Sequence, residues 1–545
     1  MAVVSTIRKN FYQDSLKLMQ ISRELIGLPG VKNASAIMAT EANLKMLRDA
    51  GLIGKLPEVL NANDMVVAID ADSEQLANEA ITKLDSFLLQ KKVGVVGEVE
   101  YRNLQTAFGA SPQTNFVLIS VPGQYAKLEV AKAIEYGLHT FLFSDNMPIE
   151  EEIQLKIRAR ERRLLMMGPG CGTAIINGVG FGFSNVINKG PIGVISAAGT
   201  GMQEVTSLIN NWGSGISQAI GLGGRDLSEK VGGIMAIEAI KMLQNDEGTE
   251  VLLLVSKPPS DKVAKKVIKV VLEGEKPAVI CFLGMKLGYK AVNTGDSVLR
   301  PSSQVRTGQS SVRFSSTLEE AATEALSFVK GSNNWTSIIS DKGWKKQAER
   351  LIKSINANQR YLRGLFSGGT LCYEAQQVLT PILGKVYSNA PLVKDLKLED
   401  SNESKRHTCV DMGEEEFTIG RPHPMIDSTI RSERLIQEAL VKDVSVILFD
   451  VVLGYAASPD PAGDLLPAII EAKKVARKKG RSIAFVAHVC GTERDPQVLG
   501  TQEEKLKRLG VLVLPTNASA SRVAGWITTR GKKMQDIRIN MNHGS

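Results

Sequence analysis

The sequence predicts an α/β protein built around a duplicated, doubly wound domain. Residues 192–204 (IGVISAAGTGMQE) and 362–374 (LRGLFSGGTLCYE) share an apolar run, a turn of small residues and a Gly-Thr-x-x-x-Glu string that opens a helical pattern. Both are followed by continuous Val/Ile/Leu runs, such as 251–259 and 444–455, separated by helical segments. Such runs indicate strands buried on both faces, hence parallel sheets. We therefore expect a Rossmann-like domain, two flavodoxin-like parallel-sheet domains and a small α+β unit.

Four segments follow one another along the chain. Residues 1–90 alternate strand and helix patterns without a catalytic cluster, which favours a ferredoxin-like α+β unit with a structural or interaction role. Residues 91–186 have a Rossmann-like order of strands and helices but no Gly-x-Gly-x-x-Gly, which disfavours a dinucleotide. The two copies of the duplicated domain are expected at 187–335 and 359–530. The polar stretch 285–317 is predicted to be a loop.

The composition of the chain argues against a membrane protein, a nucleic-acid-binding protein and a metal-binding protein. The chain has 545 residues and a formal net charge of +8. No apolar run reaches the roughly 18 residues of a membrane span, and the start lacks the order of a signal peptide, so we expect a cytoplasmic protein that contacts no membrane. Basic residues concentrate in Lys-rich helical patterns without interleaved aromatics, which argues against nucleic acid and suits small anionic metabolites. The five cysteines form no Cys-x-x-Cys pair, and no metal site is predicted.

The two small-residue turns are the main candidate binding sites. We call residues 196–200 the first cradle and residues 366–370 the second cradle. A turn of small residues lets the backbone approach a ligand, and the following helix directs unpaired N–H groups and its positive dipole end at an anion. The predicted phosphate binders are Ser196, Gly199, Thr200, Gly368, Gly369 and Thr370. Tight turns at helix starts remain the alternative interpretation, although the duplication favours function.

Acidic and basic residues near these turns are further candidates. Arg225 is predicted to clamp a phosphate or carboxylate, and Asp226 is a candidate catalytic acid, although an acid at this place could instead cap a loop. Glu204 and Glu374 lie at equivalent positions of the two copies, where stabilisation of a helix is as probable as function. His488 falls within an apolar strand, and a satisfied core histidine is the favoured interpretation.

The string Arg421-Pro422-His423-Pro424-Met425-Ile426-Asp427 is the most unusual local pattern. Two prolines hold the histidine in an extended loop, because proline fixes φ and restricts the residue before it. An imidazole beside an arginine and an aspartate suits proton transfer, so His423, Arg421 and Asp427 are the candidate catalytic residues. The alternative is a loop histidine, with Asp427 capping the next helix.

Residues 115–284 resemble the α subunit of succinyl-CoA synthetase. That family has a Gly-Pro-x-Cys loop, a Ser-x-Ser-Gly-Thr-x-x-x-Glu turn that opens a helix, and Gly-x-Gly-Gly-Asp. The corresponding strings here are Gly168-Pro169-Gly170-Cys171, Ser196-Ala197-Ala198-Gly199-Thr200 with Glu204, and Gly221-Leu222-Gly223-Gly224-Arg225-Asp226. The resemblance implies a CoA-binding-type domain at 91–186 and two ligase-type domains, the second like that of the β subunit, which face each other cradle to cradle.

Two departures from that family bear on function. The family carries a phosphorylated histidine in a Gly-His-Ala-Gly loop, whereas no histidine occurs here between Gly284 and residue 406. No segment has the length or pattern of an ATP-grasp domain. A self-contained ATP-driven CoA ligase is therefore disfavoured.

A resemblance to FdrA proteins, which are acyl-CoA-synthetase-like, covers nearly the whole chain. It rests on residues 11–25, 143–161, 221–233, 255–259, 420–427, 450–462 and 491–497. The resemblance implies a subunit of an oxamate carbamoyltransferase in anaerobic allantoin breakdown, which transfers carbamoyl from oxalurate to phosphate and yields oxamate and carbamoyl phosphate. It implies a hetero-oligomer and no cofactor. The alternatives are a CoA ligase that acts with a partner chain, for which CoA would be the cofactor, and a non-catalytic scaffold or regulatory protein.

Overall fold

The computed structural model of the protein describes residues 2–89, 101–285, 304–330, 343–418 and 421–532, except 12, 14, 41–42, 45–46, 49–50, 53–59, 62 and 308–309. The chain forms two compact units. One contains residues 1–101 together with 413–427, and the other contains residues 102–412 and 428–545.

The described strands are β1 (Ala2–Arg8), β2 (Val31–Met38), β3 (Met65–Ala71), β4 (Phe116–Ile119), β5 (His139–Leu142), β6 (Met166–Met167), β7 (Thr173–Ile176), β8 (Val179–Gly182), β9 (Lys189–Ser196), β10 (Ile216–Gly221), β11 (Val251–Ser256), β12 (Ala278–Phe282), β13 (Gln304–Thr307), β14 (Ser310–Phe314), β15 (Tyr361–Phe366), β16 (Val386–Tyr387), β17 (His407–Asp411), β18 (Val444–Val452), β19 (Ala484–Cys490) and β20 (Leu512–Leu514). The described helices are α1 (Ser15–Ile26), α2 (Glu74–Leu89), α3 (Leu104–Ala110), α4 (Gly123–Glu135), α5 (Ile149–Glu161), α6 (Gly199–Asn211), α7 (Ile234–Asn245), α8 (Asp261–Leu272), α9 (Leu318–Lys330), α10 (Gly343–Ser354), α11 (Gly369–Leu383), α12 (Glu415–Thr418), α13 (Thr429–Leu440), α14 (Pro461–Lys478), α15 (Leu499–Arg508) and α16 (Asn517–Thr528), with a 3-10 helix at Lys394–Leu396.

The first unit contains an antiparallel sheet of order β1-β3-β2. The central strand β3 alternates its side chains between two apolar clusters, so that Met65 and Val67 pack with one and Val66 and Ala68 with the other. Period-two alternation places successive residues on opposite faces, which explains why the strand is apolar throughout. The prediction of a small amino-terminal α+β unit is confirmed.

The second unit contains a parallel sheet of order β4-β5-β6, which gives the Rossmann-like part of the fold. The hairpin β7-β8 does not join this sheet. It pairs instead with β10 at the edge of an eight-stranded sheet. Residues 173–182, which the sequence assigns to the segment 91–186, are therefore part of the sheet of the first copy.

The two copies of the duplicated domain have the same strand order. In the first copy β9, β10, β11, β12 and β14 run parallel in the order β14-β12-β11-β9-β10. In the second copy β15, β17, β18, β19 and β20 run parallel in the order β17-β15-β18-β19-β20. Numbered along each copy, both orders are 2-1-3-4-5, which is the flavodoxin-like topology. The predicted α/β class with two flavodoxin-like sheets is confirmed.

The strands at the centre of both copies are buried along their whole length. Every residue of β11 and of β18 is buried, as their continuous apolar sequences predict. Ligands in doubly wound sheets bind at the carboxyl ends of such strands. In each copy the first strand ends at the cradle, and the helix that follows starts there, at Gly199 in α6 and at Gly369 in α11.

The predicted loop at 285–317 is wrong for part of its length. Strands β13 and β14 form an antiparallel pair there, and β14 pairs with β12 as the fifth parallel strand of the first copy. The pattern is weak because β14 has the sequence SSVRF, in which only Val312 and Phe314 are apolar and buried. Residues 286–303 of that stretch lie outside the described part of the chain.

No helix among the described residues is long and apolar enough to cross a membrane.

Candidate functional site

The starts of helices α6 and α11 face each other across the two copies. The backbone N–H of Thr370 donates a hydrogen bond to Thr200 Oγ1 at 3.3 Å. A Cβ added to Gly368 would lie 3.0 Å from the Thr200 side chain, and one added to Gly201 would lie 2.8 Å from that of Thr370. The small residues of each cradle therefore admit the threonine of the other. Three of the seven predicted phosphate binders, Thr200, Gly368 and Thr370, meet at this junction.

The first cradle keeps backbone donors for a ligand. The Ser196 hydroxyl, buried at the end of β9, donates to the Ala198 carbonyl at 2.8 Å and accepts from its N–H at 3.0 Å. This hydroxyl shapes the turn itself. Within the described residues, the N–H groups of Gly199, Thr200 and Gly201 have no acceptor, as expected at the first turn of a helix. They are the groups through which this helix start can bind an anion.

The second cradle is filled by a carboxylate of the protein. The side chain of Asp450, which is fully buried, accepts hydrogen bonds from the N–H groups of Ser367 at 2.8 Å and Gly368 at 2.7 Å. Arg431 pairs with the same carboxylate at 3.0 Å. An anion that approached Gly368 would therefore meet a negative charge already held by these donors.

A second carboxylate flanks the same helix start. Asp411 ends β17, and a Cβ added to Gly369 would lie 2.3 Å from Asp411 Oδ2. Lys257, which follows β11 of the first copy, places its Nζ 3.8 Å from Asp411 Oδ2 and keeps 37% of its side chain exposed. Lys257 is the cation that the first copy contributes beside the second cradle.

Strand register shows that these carboxylates are specific to the second copy. Ser196, the last residue of β9, pairs with Gly221 of β10 and Val255 of β11. Phe366 takes the position of Ser196 in the second copy and pairs with Asp411, while Leu365 pairs with Phe449, the residue before Asp450. Glycine and valine in the first copy thus correspond to two aspartates in the second.

Below the cradles, Glu204 joins the two copies through a buried ion pair. Its Oε2 lies 2.7 Å from His488 Nε2, and its Oε1 accepts from the N–H of Asn517 at 3.2 Å. His488 Nδ1 lies 3.1 Å from the Leu514 carbonyl, to which only a protonated nitrogen can donate. Burial disfavours the charged imidazolium, but the attraction of the Glu204 carboxylate is stronger than this effect. The pKa of His488 is therefore raised. The favoured interpretation of His488 as a satisfied core histidine agrees with these contacts.

Glu374 occupies the equivalent position in the second copy. Its Oε1 accepts from the N–H of Leu318 at 2.6 Å, and its Oε2 accepts from Asn517 Nδ2 at 2.7 Å. Burial, reinforced by the negative charge of Glu204, raises the pKa of Glu374 to about 8. Each glutamate therefore caps the helix after the fifth strand of the other copy, α16 for Glu204 and α9 for Glu374.

Arg225 and Asp226 lie in a different, largely buried ion network. Asp226 is fully buried, pairs with Lys156 at 2.9 Å, and accepts from the N–H groups of Met235 and Ala236 at the start of α7. Burial opposes the charge of Lys156, but its two carboxylate partners, Asp226 and Glu152, raise the pKa of that ammonium. These are the contacts of a helix cap and a structural ion pair.

Arg225 shares that network. Its guanidinium pairs with Glu152 at 2.9 Å and donates to the Met147 carbonyl at 2.8 Å, with 38% of the side chain exposed. The proposed roles of Arg225 as an anion clamp and Asp226 as a catalytic acid remain predictions.

Arg421, His423 and Asp427 belong to the first unit, whereas both cradles belong to the second. His423 Nδ1 accepts from the N–H of Met425 at 3.2 Å, and the His423 carbonyl accepts from the N–H groups of Ile426 and Asp427. A neutral His423 therefore carries its proton on Nε2. The catalytic role of these residues stays a prediction.

The sequence places Asp450 near a strand end, where it could bind an anion or cap a loop, but it does not reveal that Asp450 and Asp411 flank the second cradle. Asp450 lies near the end of β18 and Asp411 ends β17, far along the chain from that turn, and an aspartate at such a place gives no signal of its partner. The equivalence of Glu204 and Glu374 in the two motifs was the signal that could have exposed the cross-copy contacts.

Three family models match separate parts of the chain. A model described as CoA-ligase matches residues 365–527, one described as CoA binding domain matches residues 187–284, and one described as AllF, heavy metal-associated domain matches residues 1–101. The CoA-binding match falls on the segment expected to be the first ligase-type domain, and the predicted CoA-binding-type segment 91–186 lies outside it.

The chain is similar to one protein over its whole length and to CoA ligase subunits over part of it. The chain is 38% identical to the uncharacterized protein YahF of Escherichia coli (strain K12) over 98% of this chain and 100% of that protein. It is 26% identical to a succinate–CoA ligase [ADP-forming] subunit alpha 1 of Archaeoglobus fulgidus over 31% of this chain and 57% of that one, so it spans little more than half of that relative. A dinucleotide-forming acetyl-coenzyme A synthetase of Ca. Korarchaeum cryptofilum covers 81% of this chain and 89% of its own, at 14% identity and a TM-score of 0.31, which supports no further conclusion.

The amino-terminal match carries a metal-related description that the residues do not fit. Residues 1–101 contain no cysteine and no histidine. Sites for such metals are built mainly on thiolate and imidazole ligands. In the described part of the chain no three His, Cys, Asp or Glu residues are grouped as metal ligands. We therefore propose no metal-dependent step in this unit.

Proposed function

The chain belongs to the family of the Escherichia coli protein YahF, and we propose that it is a subunit of an enzyme that moves an acyl or carbamoyl group to or from phosphate. The first cradle carries the proposal. Within the described part of the chain, its helix start offers N–H groups without an acceptor at Gly199, Thr200 and Gly201, and the flanking residues at or next to the strand ends are Gly221 and Val255 rather than acids. A helix start with unpaired donors and no competing carboxylate suits a phosphate group.

We propose carbamoyl transfer from oxalurate to phosphate as the reaction. A phosphate oxygen attacks the carbamoyl carbon, the bond from that carbon to nitrogen breaks, and the nitrogen takes up a proton as oxamate leaves. Carbamoyl phosphate is the second product, so atoms and charge balance without CoA or a redox partner. The first cradle would hold the attacking phosphate, and the proton that this hydrogen phosphate loses is the one the leaving nitrogen gains. The catalytic role of His423, Arg421 and Asp427, which belong to the other unit, stays a separate prediction. The AllF description of residues 1–101 supports a role in allantoin nitrogen catabolism.

CoA-ligase chemistry with a partner chain is the second candidate. Two family models described as CoA-ligase and CoA binding domain favour it. The absence of histidine between Gly284 and residue 406 argues against a phosphohistidine in the position that the succinyl-CoA synthetase resemblance implies. Under either candidate we expect a hetero-oligomer. For the transferase this follows from the FdrA resemblance, and the ligase would need a partner chain to supply nucleotide activation.

Calorimetric titration of the full chain with phosphate, carbamoyl phosphate and CoA tests these candidates. Binding of phosphate and carbamoyl phosphate without CoA supports the transferase. Binding of CoA supports the ligase, and binding of none of the three supports the scaffold and contradicts the proposal.

Two matched variants locate the site. A Cβ added to Gly199 would lie 3.4 Å from Thr173 Oγ1, so a side chain fits there with little strain. Gly199→Asp places a carboxylate against the free donors and should weaken phosphate binding about tenfold or more, whereas the neutral Gly199→Asn should stay within about threefold of wild type. Equal affinities for wild type and Gly199→Asp would exclude the first cradle as the site.

A further inference from the structure

A buried group of carboxylates lies beneath both cradles, and its members differ in how their charge is balanced. Glu204 pairs with His488 at 2.7 Å, and Glu319 pairs with Arg522 at 2.5 Å. Glu374 is fully buried, and its hydrogen-bond donors among the described residues are both neutral: Leu318 N–H and Asn517 Nδ2. A buried carboxyl without a cation partner is stabilised in its protonated form, because desolvation penalises the charge.

The same group links the two cradle helices. Glu204 lies on α6 and Glu374 on α11, each five residues after the first residue of its helix, or roughly 7.5 Å along the axis. Asn517 contacts both, with its backbone N–H on Glu204 and its side-chain amide on Glu374. Each glutamate also fixes a helix of the opposite copy, so a change at one is transmitted to both helix starts.

We propose that Glu204 and Glu374 are positioning residues that hold the two cradles in register, and that Glu374 keeps a proton whose release weakens anion binding at the first cradle. The inference rests on the proposed function for its ligand. Loss of the proton would put a second negative charge beside Glu204 and would oppose an anion at the helix starts above it. Anion binding and proton retention by Glu374 are therefore coupled, and each must favour the other.

Several titratable or charged groups face Glu374 from the elements packed on it: Glu204 on α6, Glu319 on α9, Arg522 on α16 and Cys281 on β12. Glu320 on α9 acts on Arg522 and Cys281 in the same group. Burial raises the pKa of the Cys281 thiol well above its usual range, so the thiol stays neutral near pH 8. Burial, with the charge of Glu204 adding to it, raises the pKa of Glu374 to about 8, which agrees with the geometry.

Infrared difference spectra of the full chain between pH 6.5 and 9.5 test the proton directly. Wild type should lose a protonated-carboxyl carbonyl band with a midpoint near pH 8. Glu374→Gln should lack that band, and Glu204→Gln should move its midpoint to lower pH, because the charge that favours protonation of Glu374 is gone. Glu204→Gln fits the site, since its amide can accept from Asn517 N–H and donate to a neutral His488. A band that persists in Glu374→Gln, or no band in wild type, overturns the inference.

Sulfate binding completes the test, because sulfate does not titrate in this range. Its affinity for wild type should fall about three- to tenfold from pH 7 to pH 9, and that fall should disappear in Glu374→Gln. If sulfate and phosphate bind neither protein while the infrared band behaves as expected, the proposed function fails and the proton-linked pair stands. If sulfate binds with the same pH dependence in both proteins, the coupling fails and the anion site stands.

Discussion

The two copies of the duplicated domain share one topology but differ at the strand ends that flank their cradles. In the first copy these ends are Gly221 and Val255, and in the second they are Asp411 and Asp450. A helix start attracts negative charge whether it comes from a ligand or from the protein. The second copy has satisfied that attraction internally, whereas the first cradle is the proposed anion site. Under the proposed function, the duplication provides one binding site and one support for it.

The largest effect on stability is expected from Asp450→Val. This change makes the second copy resemble the first. The change leaves Arg431 as a buried cation, with only 6% of its side chain exposed, and removes the acceptor for the N–H groups of Ser367 and Gly368. Loss of one partner of a buried ion pair costs about 3–5 kcal/mol. Urea unfolding of the full chain should show a loss of this size.

The double variant Arg431→Leu/Asp450→Val is the control for that prediction. Apolar replacement of both partners removes the uncompensated charge, so it should recover much of the free energy of unfolding. A single Asp450→Val variant as stable as wild type would mean that the second cradle does not depend on its carboxylate. Phosphate binding at the first cradle should survive in the double variant.

The regular elements of both copies were predictable from the sequence because each strand is buried on both faces. Continuous apolar runs identified β11 and β18, and the Gly-Thr turns fixed the starts of α6 and α11. The short edge pair β13-β14 was missed, because it is mostly polar and its place in the sheet depends on pairing with β12 rather than on its own pattern.

The site was predictable only in part, because some of its contacts join residues that are distant in sequence. The motif located the helix starts, since backbone donors follow from local structure. It gave no sign that Asp450 would fill the second cradle or that Asp226 would cap α7 beside Lys156. Both are pairings between residues distant in sequence, and an isolated acid at the end of a strand does not reveal its partner.

The variants Gly369→Ala and Gly199→Ala form a matched pair, and the difference between their stabilities should be the next largest effect. A Cβ at 369 would lie 2.3 Å from the buried Asp411 Oδ2, whereas one at 199 would lie 3.4 Å from Thr173 Oγ1. Overpacking of this kind costs about 1–3 kcal/mol, while alanine at an uncrowded helix position is neutral or favourable by up to about 1 kcal/mol. Thermal unfolding of the two variants measures the difference. Equal melting temperatures would contradict the crowding of the second cradle.

The last difference between the copies is a histidine, whose effect on stability is expected only in acid. His407 lies in β17, and Ser217 takes its place when positions are counted back from the strand ends Asp411 and Gly221. Burial, assisted by the positive charge of Arg363, lowers the pKa of His407 to about 4. Its ordinary value in an unfolded chain is about 6.5. The unfolded chain then binds more protons than the folded one between these values, so the contribution of His407 to stability is complete above pH 6.5 and is lost as the pH falls through 4.

His407→Asn measures that contribution, since its side-chain oxygen can accept from the Leu362 N–H as His407 Nδ1 does at 3.3 Å. The free energy of unfolding of wild type should fall more steeply than that of the variant from pH 7 to pH 4.5. Parallel curves would mean that His407 titrates alike in the folded and unfolded chain. The second copy would then owe none of its acid sensitivity to this residue, and the contrast between the copies would rest on their carboxylates alone.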